Sequence, residues 1–464
     1  MSTALCPPGE LRASPRHPLP TFLLGTLALW AGTTVPSHAV PSYARQTGEE
    51  CSACHIGAFG PQLTAHGWKF KLNGYAETDG KSGHIPLSAM VVGSWTDTKK
   101  DLAEDAGPYQ GRNNNAVMQE ASVFLAGGLT EHLGTFVQGT YSGIERKFAL
   151  DNADVRYAQP LEIAGEEAIV GVTFNNNPSV TDPFNNLPAW RFPYMSSELT
   201  PGPIASPILD GGLEQQVGGI SLYTLWNDSI YAELGGYRTF SRSFLENMNV
   251  IASDDPLDKI SNVSPYWRLG YVKDMHSQSW QIGLFGLAPN MRPDGASGAT
   301  DNYRDFGVDA SYQFLGTREH IFTVNTAYIY ESRDLDATYD AGGAQKKSGN
   351  VNRFDLSGSY YYDQTWGLTA GLFDIQGSSD NVLYGPEPDA GSRKGNPNTT
   401  GYVLQADWTP FGKEGSWGSP WANARIGLQY TGYTKFNGAS HDYDGNGRDA
   451  SDNNTVFAFL WTAF

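Results

Sequence analysis

The sequence predicts an all-β chain, an outer-membrane β-barrel of about sixteen strands preceded by a short N-terminal segment of different character. Three observations predict it. From about Pro86 onward, apolar and aromatic residues alternate with polar ones in run after run, the period-2 pattern of strands that have one apolar and one wet face. The links between those runs alternate between short and long. Past residue 39 no apolar run approaches the roughly 18 residues of a membrane helix, while 12 Trp, 24 Tyr, 22 Phe and 53 Gly suit a barrel with aromatic girdles. A soluble β-sandwich would alternate in the same way with its apolar face as the core, and composition alone does not separate the two.

Residues 1–39 have the grammar of a signal peptide: Arg12 and Arg16, the apolar run Phe22 to Trp30, then Ser37-His38-Ala39 as a small-x-small cleavage site. Its removal takes away Arg12, Arg16 and Glu10, two positive charges and one negative, so the formal net charge of −18 becomes −19. So acidic a chain does not bind nucleic acid, which needs clustered Lys and Arg. Cations are the expected visitors.

Residues 40–83 form a short segment built around Cys51-Ser52-Ala53-Cys54-His55. In an exported chain, CxxCH is the attachment site of a c-type haem, with two thioether cysteines and a histidine that ligates the iron. The expected cofactor is therefore one covalent haem c on Cys51 and Cys54, with His55 as proximal axial ligand and iron ligand. A CxxC zinc knuckle or a small disulfide is the alternative, but zinc needs a second ligand pair, and only Cys6, inside the signal, remains. For the distal ligand His66 is nearest in sequence, with His84, Met90 and Met118 as further candidates. Some 40 residues bury little, so the porphyrin is expected to lean on the barrel.

Residues 84–464 carry the barrel. Phe306, Val308, Ala310, Tyr312 and Phe314 fall in one phase, and Asp305, Gly307, Asp309, Ser311 and Gln313 in the other, which reads as lumen. Ala422, Ala424, Ile426, Leu428 and Tyr430 repeat the pattern against Asn423, Arg425, Gly427 and Gln429. Short links are expected at Gly127–His132, Trp226–Ser229, Lys273–Ser279, Leu315–Glu319 and Asp363–Thr365. Long ones are expected at 97–112, 175–213, 240–262, 332–349, 377–398 and 434–452. Short periplasmic turns against long external loops are the habit of outer-membrane barrels, and the final run Thr455 to Phe464 ends on the aromatic that their assembly machinery reads. The loop 175–213 is too long and too rich in Pro and aromatics for a plain hairpin, and could fold into the mouth.

Strand phase puts Glu120, Asp154, Glu233, Asp305, Asp309, Asp355 and Asp407 in the lumen with Arg156, Arg268, Arg353 and Arg425. Such carboxylates suit passing divalent cations, although mixed lumen charges more often pair with each other. Asp442-Tyr443-Asp444-Gly445-Asn446-Gly447-Arg448-Asp449 opens like an EF-type calcium loop, but Asn453 stands where the bidentate Glu belongs. A polar external loop is the safer reading. No Walker A loop, HExxH or G-x-S-x-G elbow occurs.

The run Pro41 to Gly48 leading into Cys51-x-x-Cys54-His55, then Phe70-Lys71-Leu72-Asn73-Gly74-Tyr75, resembles the fused outer-membrane monohaem cytochrome–porins, whose best-known members are iron oxidases. Asn152-Ala153-Asp154-Val155-Arg156-Tyr157-Ala158 and the Asn-Asn-Pro, Pro-Ala-Trp and Pro-Tyr pattern of 176–194 look like the same family's barrel. Phe59-Gly60-Pro61 and His66-Gly67-Trp68 depart from it, standing where the family has a Phe-Pro and a Phe-Gly-Arg. The resemblance implies an electron-transfer protein of a Gram-negative outer membrane, in contact with its lipid. Electrons would pass from extracellular Fe(II) or another donor, through the haem, to a periplasmic cytochrome c or copper protein, an iron:cytochrome c oxidoreductase activity. On that reading Asp305 and Asp309 would concentrate a cationic donor in the lumen. The rivals are a substrate-diffusion porin with a haem-bearing plug, and a soluble periplasmic cytochrome with a β-sandwich.

Overall fold

The computed structural model describes residues 42–464, apart from 296, 414 and 417. The signal-peptide reading of residues 1–39 and the start at Val40 lie outside the described residues. Among those described, sixteen long antiparallel strands form one closed sheet. It begins at β1 (Leu87–Thr98) and ends at β16 (Thr455–Ala463). Closure is explicit, since β1 pairs with its successor on one side and with β16 on the other, in a register running from Met90 opposite Ala463 to Thr98 opposite Thr455.

The strands join by links of two kinds, as the sequence predicts. At one end lie residues 129–132, 164–165, 227–229, 275–277, 315–319, 363–365 and a longer link, 409–422. Asn227 and Asp228 take φ of 49° and 48°, the paired positive values of a turn whose twist matches the strands it joins. At the other end lie 99–114, 176–216, 240–263, 288–300, 336–347, 378–398 and 436–454, with a tight exception at 143–146. The short-turn end is the periplasmic end by the rule for such barrels.

The two phases separate cleanly. Outward-facing Leu222, Leu234, Leu368 and Leu428 are 62%, 67%, 60% and 56% exposed, whereas Asp309, Gln313, Gln405 and Arg425 of the other phase are buried. A closed sheet with its apolar face outward and its polar face inward is a membrane-spanning barrel. Aromatics mark the short-turn rim, where Trp366 stacks on Trp408 at 5.6 Å and Phe322 lies 4.9 Å from Tyr360. The β-sandwich rival is excluded, because a sandwich buries the face that is exposed here.

The lumen is filled. Residues 42–86 enter it as a plug from the short-turn end, carrying three helices, α1 (Ser42–Thr47), α2 (Cys51–Cys54) and α3 (Ala65–Leu72). The link 176–216 folds inward from the other end, so that Leu187, Leu209 and Leu213 are buried against Tyr237, Tyr266 and Phe285 of the wall. Leu63, Trp68 and Leu72 of the plug pack against Phe184 of that link and against Tyr223, Leu225 and Tyr231 of the wall. The wide aqueous channel of an open sixteen-stranded porin is occupied here by protein.

Candidate functional site

The CxxCH stretch is held by short-range geometry. In α1 the chain closes on Gly48, whose φ of 73° ends the helix while its N–H bonds the Ala44 carbonyl at 2.9 Å. One helical turn then sets Cys51 and Cys54 three residues apart on one side. The His55 N–H bonds the Cys51 carbonyl at 2.8 Å, and His55 itself is extended, at φ −116°, ψ 134°. Thr64 caps α3 by accepting from the Gly67 N–H at 3.2 Å. A Cβ on Gly67 would lie 2.5 Å from the Cys54 carbonyl oxygen, so α3 sits against the haem-motif turn only because that residue is glycine.

Barrel residues fix this turn in the mouth. Ser52 is gripped on both backbone atoms: its N–H bonds the Gly412 carbonyl at 3.1 Å, and its carbonyl accepts from Arg318 Nη1 at 2.6 Å. Ile56 is buried among Leu315, Ile321 and Tyr361. The Phe59 carbonyl accepts from Arg425 Nη2, and Asn423 donates to the Ala58 carbonyl at 2.8 Å.

Cys51, Cys54 and His55 open together on a cavity of about 360 Å³, whose apolar walls include Phe59, Met90, Phe124, Phe136, Trp190 and Trp461. Four of those six, Met90, Phe124, Phe136 and Trp461, belong to barrel strands near the plug, so the barrel does share in the pocket. Burial lowers the His55 pKa to about 4, opposed by the Gly60 backbone, and the imidazole is neutral at physiological pH, the form that binds a metal. Its buried Nδ1 has no hydrogen-bond partner of ordinary geometry. Burial pushes the Cys51 thiol up to about 11 and Cys54 to about 12, so neither is a reactive thiolate at neutral pH. Two thiols and a neutral imidazole on one aromatic-walled cavity fit a covalently held porphyrin.

The other expected ligands are scattered. His66 does not line the cavity. Its Nε2 sits 2.6 Å from Glu49 Oε2, with both side chains about 40% exposed. Glu49, Cys54 and His66 lie within 4.8 Å of one another, three mixed donors where a structural zinc site takes four. His84 pairs with Asp79 at 3.0 Å. Met118 is 42% exposed on the outer face. Of the named candidates Met90 alone reaches the cavity. Met195, which sequence reasoning passed over, also lines it.

The three stretches that carry the family resemblance meet in space. Tyr75 donates to Asp154 Oδ2 at 2.7 Å, which also accepts from Arg156 Nε at 2.7 Å. Arg156 Nη2 reaches the Thr181 carbonyl at 2.7 Å. Lys71 Nζ donates to the Val180 and Asp182 carbonyls and to Asn185 Oδ1 at 2.7–2.8 Å, and lies 4.9 Å from the centre of the Trp190 ring. Plug, wall and inturned link are thus clamped as one unit.

The four lumen arginines are each paired with a carboxylate. Arg156 bonds Asp154, Arg268 lies 3.0 Å from Asp309 and 3.1 Å from Asp182, Arg353 lies 2.9 Å from Asp355 and Asp210, and Arg425 lies 3.5 Å from Asp407. Buried charges persist only with such partners. This corrects the expectation for Asp305 and Asp309. They are 5% and 1% exposed, Asp305 accepting the Leu209 N–H and Asp309 facing Arg268 and Gln281, so neither meets a donor in water. The calcium-like loop spends its groups on itself: Asp444 Oδ1 accepts from Asn446 and Arg448 N–H, and Asn453 accepts from Arg448 Nε.

A second cavity, of about 240 Å³, lies between the inturned link and the opposite wall, lined by Arg353, Asp355 and Phe457 among others. Asn185 and Tyr194 border both cavities.

No protein-family model matches the sequence, and no curated protein matches it. Among solved structures the chain is similar to an anion-selective porin from Comamonas acidovorans, at 12% identity and a TM-score of 0.45, over 82% of this chain and 98% of that one. It is similar to the outer membrane channel DcaP of Acinetobacter baumannii, at 10% identity and a TM-score of 0.45, over 82% and 96%. Salmonella typhi OmpF matches at 11% identity and a TM-score of 0.43, over 82% and 97%.

Proposed function

We propose that this protein is an outer-membrane electron conduit: a barrel whose plug carries one covalent haem c and passes electrons from an external donor to a periplasmic cytochrome c or copper protein. One observation carries the reading. Cys51, Cys54 and His55 line a single cavity at the periplasmic mouth, with walls drawn from the plug, the barrel and the inturned link. Cys51 and Cys54 would hold the porphyrin as thioethers, and His55 would ligate the iron. Bound there, the haem supplies a one-electron couple. The chain does the rest: the aromatic walls exclude water, and the Ser52, Ile56 and Arg425 contacts fix the turn.

The family resemblance makes Fe(II) the donor to try first, giving up one electron to become Fe(III) outside the cell while only the electron crosses. A filled lumen supports conduction of electrons over diffusion of solutes. The test is haem stain after denaturing electrophoresis of protein made with the cytochrome c maturation system. The stain should survive denaturation and vanish in the Cys51→Ala, Cys54→Ala double variant, which should still fold as a heat-modifiable barrel. Fe(II) should then reduce the purified protein in a stopped-flow trace. Absence of covalent haem overturns the reading, and haem that Fe(II) leaves oxidised overturns the iron part of it.

A further inference from the structure

The haem reading leaves one coordination position of the iron unassigned, and the structure offers few groups to fill it. Residues that line the cavity and bear a side chain able to ligate haem iron include Tyr43, Lys71, Tyr75, Met90, Tyr194 and Met195. Three are committed elsewhere: Tyr43 donates to the Thr135 carbonyl at 2.7 Å, Tyr75 to Asp154, and Lys71 to three oxygens.

The two methionines differ in how they are held. Met90 belongs to β1 and packs in an apolar cluster with Val92, Phe124 and Ala126, against which Met195 also packs, but its sulfur has no hydrogen bond among the described residues. Met195 belongs to the inturned link, and the wall grips it from two sides. Gln429 Nε2 donates to its carbonyl at 2.9 Å, and Gln119 Nε2 donates to the adjacent Ser196 carbonyl at 2.6 Å. The same Gln119 nitrogen lies 3.7 Å from Met195 Sδ, within reach of a hydrogen bond to sulfur, while Ser94 Oγ donates to Gln119 Oε1 at 3.1 Å and fixes the amide. A thioether sulfur has two lone pairs, and this network engages one of them. A flexible side chain is thereby given a defined sulfur position at the edge of the cavity.

We infer that Met195 is the distal axial ligand, so that the haem is completed by a residue of the inturned barrel link rather than by the segment that binds it covalently. The inference rests on the haem reading above. It makes the iron centre composite: His55 comes from the plug and the thioether sulfur from a link that belongs to the opposite end of the barrel. Methionine ligation raises the potential relative to histidine, which suits acceptance of electrons from a weak reductant.

The test uses the full-length haem-loaded protein and its Met195→Leu, Met195→His and Met90→Leu variants. The oxidised wild type should show the long-wavelength sulfur-to-iron charge-transfer band, and the reduced form should not bind carbon monoxide. Met195→Leu should lose the band and bind carbon monoxide fully, Met195→His should give a low-spin spectrum with a lowered midpoint potential, and Met90→Leu should match the wild type. Loss of the band in Met90→Leu with retention in Met195→Leu assigns Met90 and overturns the inference. So does a wild type with covalent haem but no sulfur band, which points to Tyr194 or an open site. Absence of covalent haem overturns the functional reading itself and is seen in the stain before any spectrum is taken.

Discussion

The Tyr75 hydroxyl donates to Asp154 Oδ2 at 2.7 Å across 79 residues of sequence, in a site where Asp154 is fully buried and also accepts from Arg156 and Thr173. This contact ties the end of the plug's helical part to the barrel wall. Tyr75→Phe removes one of three donors to a buried carboxylate and should cost about 1–3 kcal/mol. Asp154→Asn leaves the Arg156 guanidinium buried without its counter-ion and should cost more, about 3–5 kcal/mol. Both should expose residues 42–83 to added protease while the barrel stays folded. Protease resistance equal to wild type in both variants would rule out this anchor.

Gly57 of the plug lies close against the wall. Its φ is 67°, and a Cβ there would lie 2.3 Å from the Tyr361 ring. Gly57→Ala should therefore loosen the plug by about 1–3 kcal/mol through overpacking. Tyr361→Leu in the same chain should recover part of the loss, a coupling read from a double-mutant cycle of thermal unfolding. Strict additivity would show that the two residues do not touch.

Leu428 is 56% exposed on the outward phase. Leu428→Arg should destabilise the barrel by about 2–4 kcal/mol if it lies at the bilayer midplane, less toward either interface. Leu428→Met should be nearly neutral. The measurement is reversible unfolding in lipid vesicles, and equal stability of the two variants would place this phase away from lipid.

A filled lumen should conduct ions poorly. In planar bilayers the wild type should show conductance well below that of an open sixteen-stranded porin. The Lys71→Ala, Tyr75→Ala double variant should raise it by releasing the plug from the 180–185 stretch and from Asp154. Large, steady wild-type channels would contradict the packing described here.

The barrel was legible in the sequence because its signal is local. Period-2 alternation such as Asp305 to Phe314 declares the phase of each strand without reference to any other, and turn lengths follow from neighbouring residues. The CxxCH is equally local. Contacts between distant parts of the chain leave no such mark. Nothing near Lys71 announces Val180 or Asp182. The length and the Pro and aromatic content of 175–213 point to a link that enters the mouth, but nothing in Phe192-Pro193-Tyr194-Met195 says that it brings a sulfur to the cavity that Cys51 lines. The phase reading also hid a steric fact. Gly307 and Gly427 read only as lumen positions, yet a Cβ on them would lie 2.2 Å from Phe285 and 2.1 Å from Phe459. Each is small because an aromatic from the next strand lies over it. The lumen charges were found by phase, but their partners Asp182 and Asp210 come from the inturned link, which phase does not address.

The seam of the barrel bears on how the protein matures. Strand β1 starts where the plug ends, and Ala89 and Phe464 exchange both backbone hydrogen bonds at 2.8–2.9 Å. Phe59 of the plug packs on Trp461, Ala463 and Phe464. An early part of the chain is thus a docking surface for the strand that closes the barrel. The final strand has two templates, the free edge of β1 and the Phe59 face of the plug, and the second exists only if the CxxCH turn has already folded. On the haem reading, a cofactor attached to Cys51 and Cys54 before that moment would lie behind Trp461 and Ala463 of the closing strand, both of which line the cavity, and the order of maturation would be load, fold, then close.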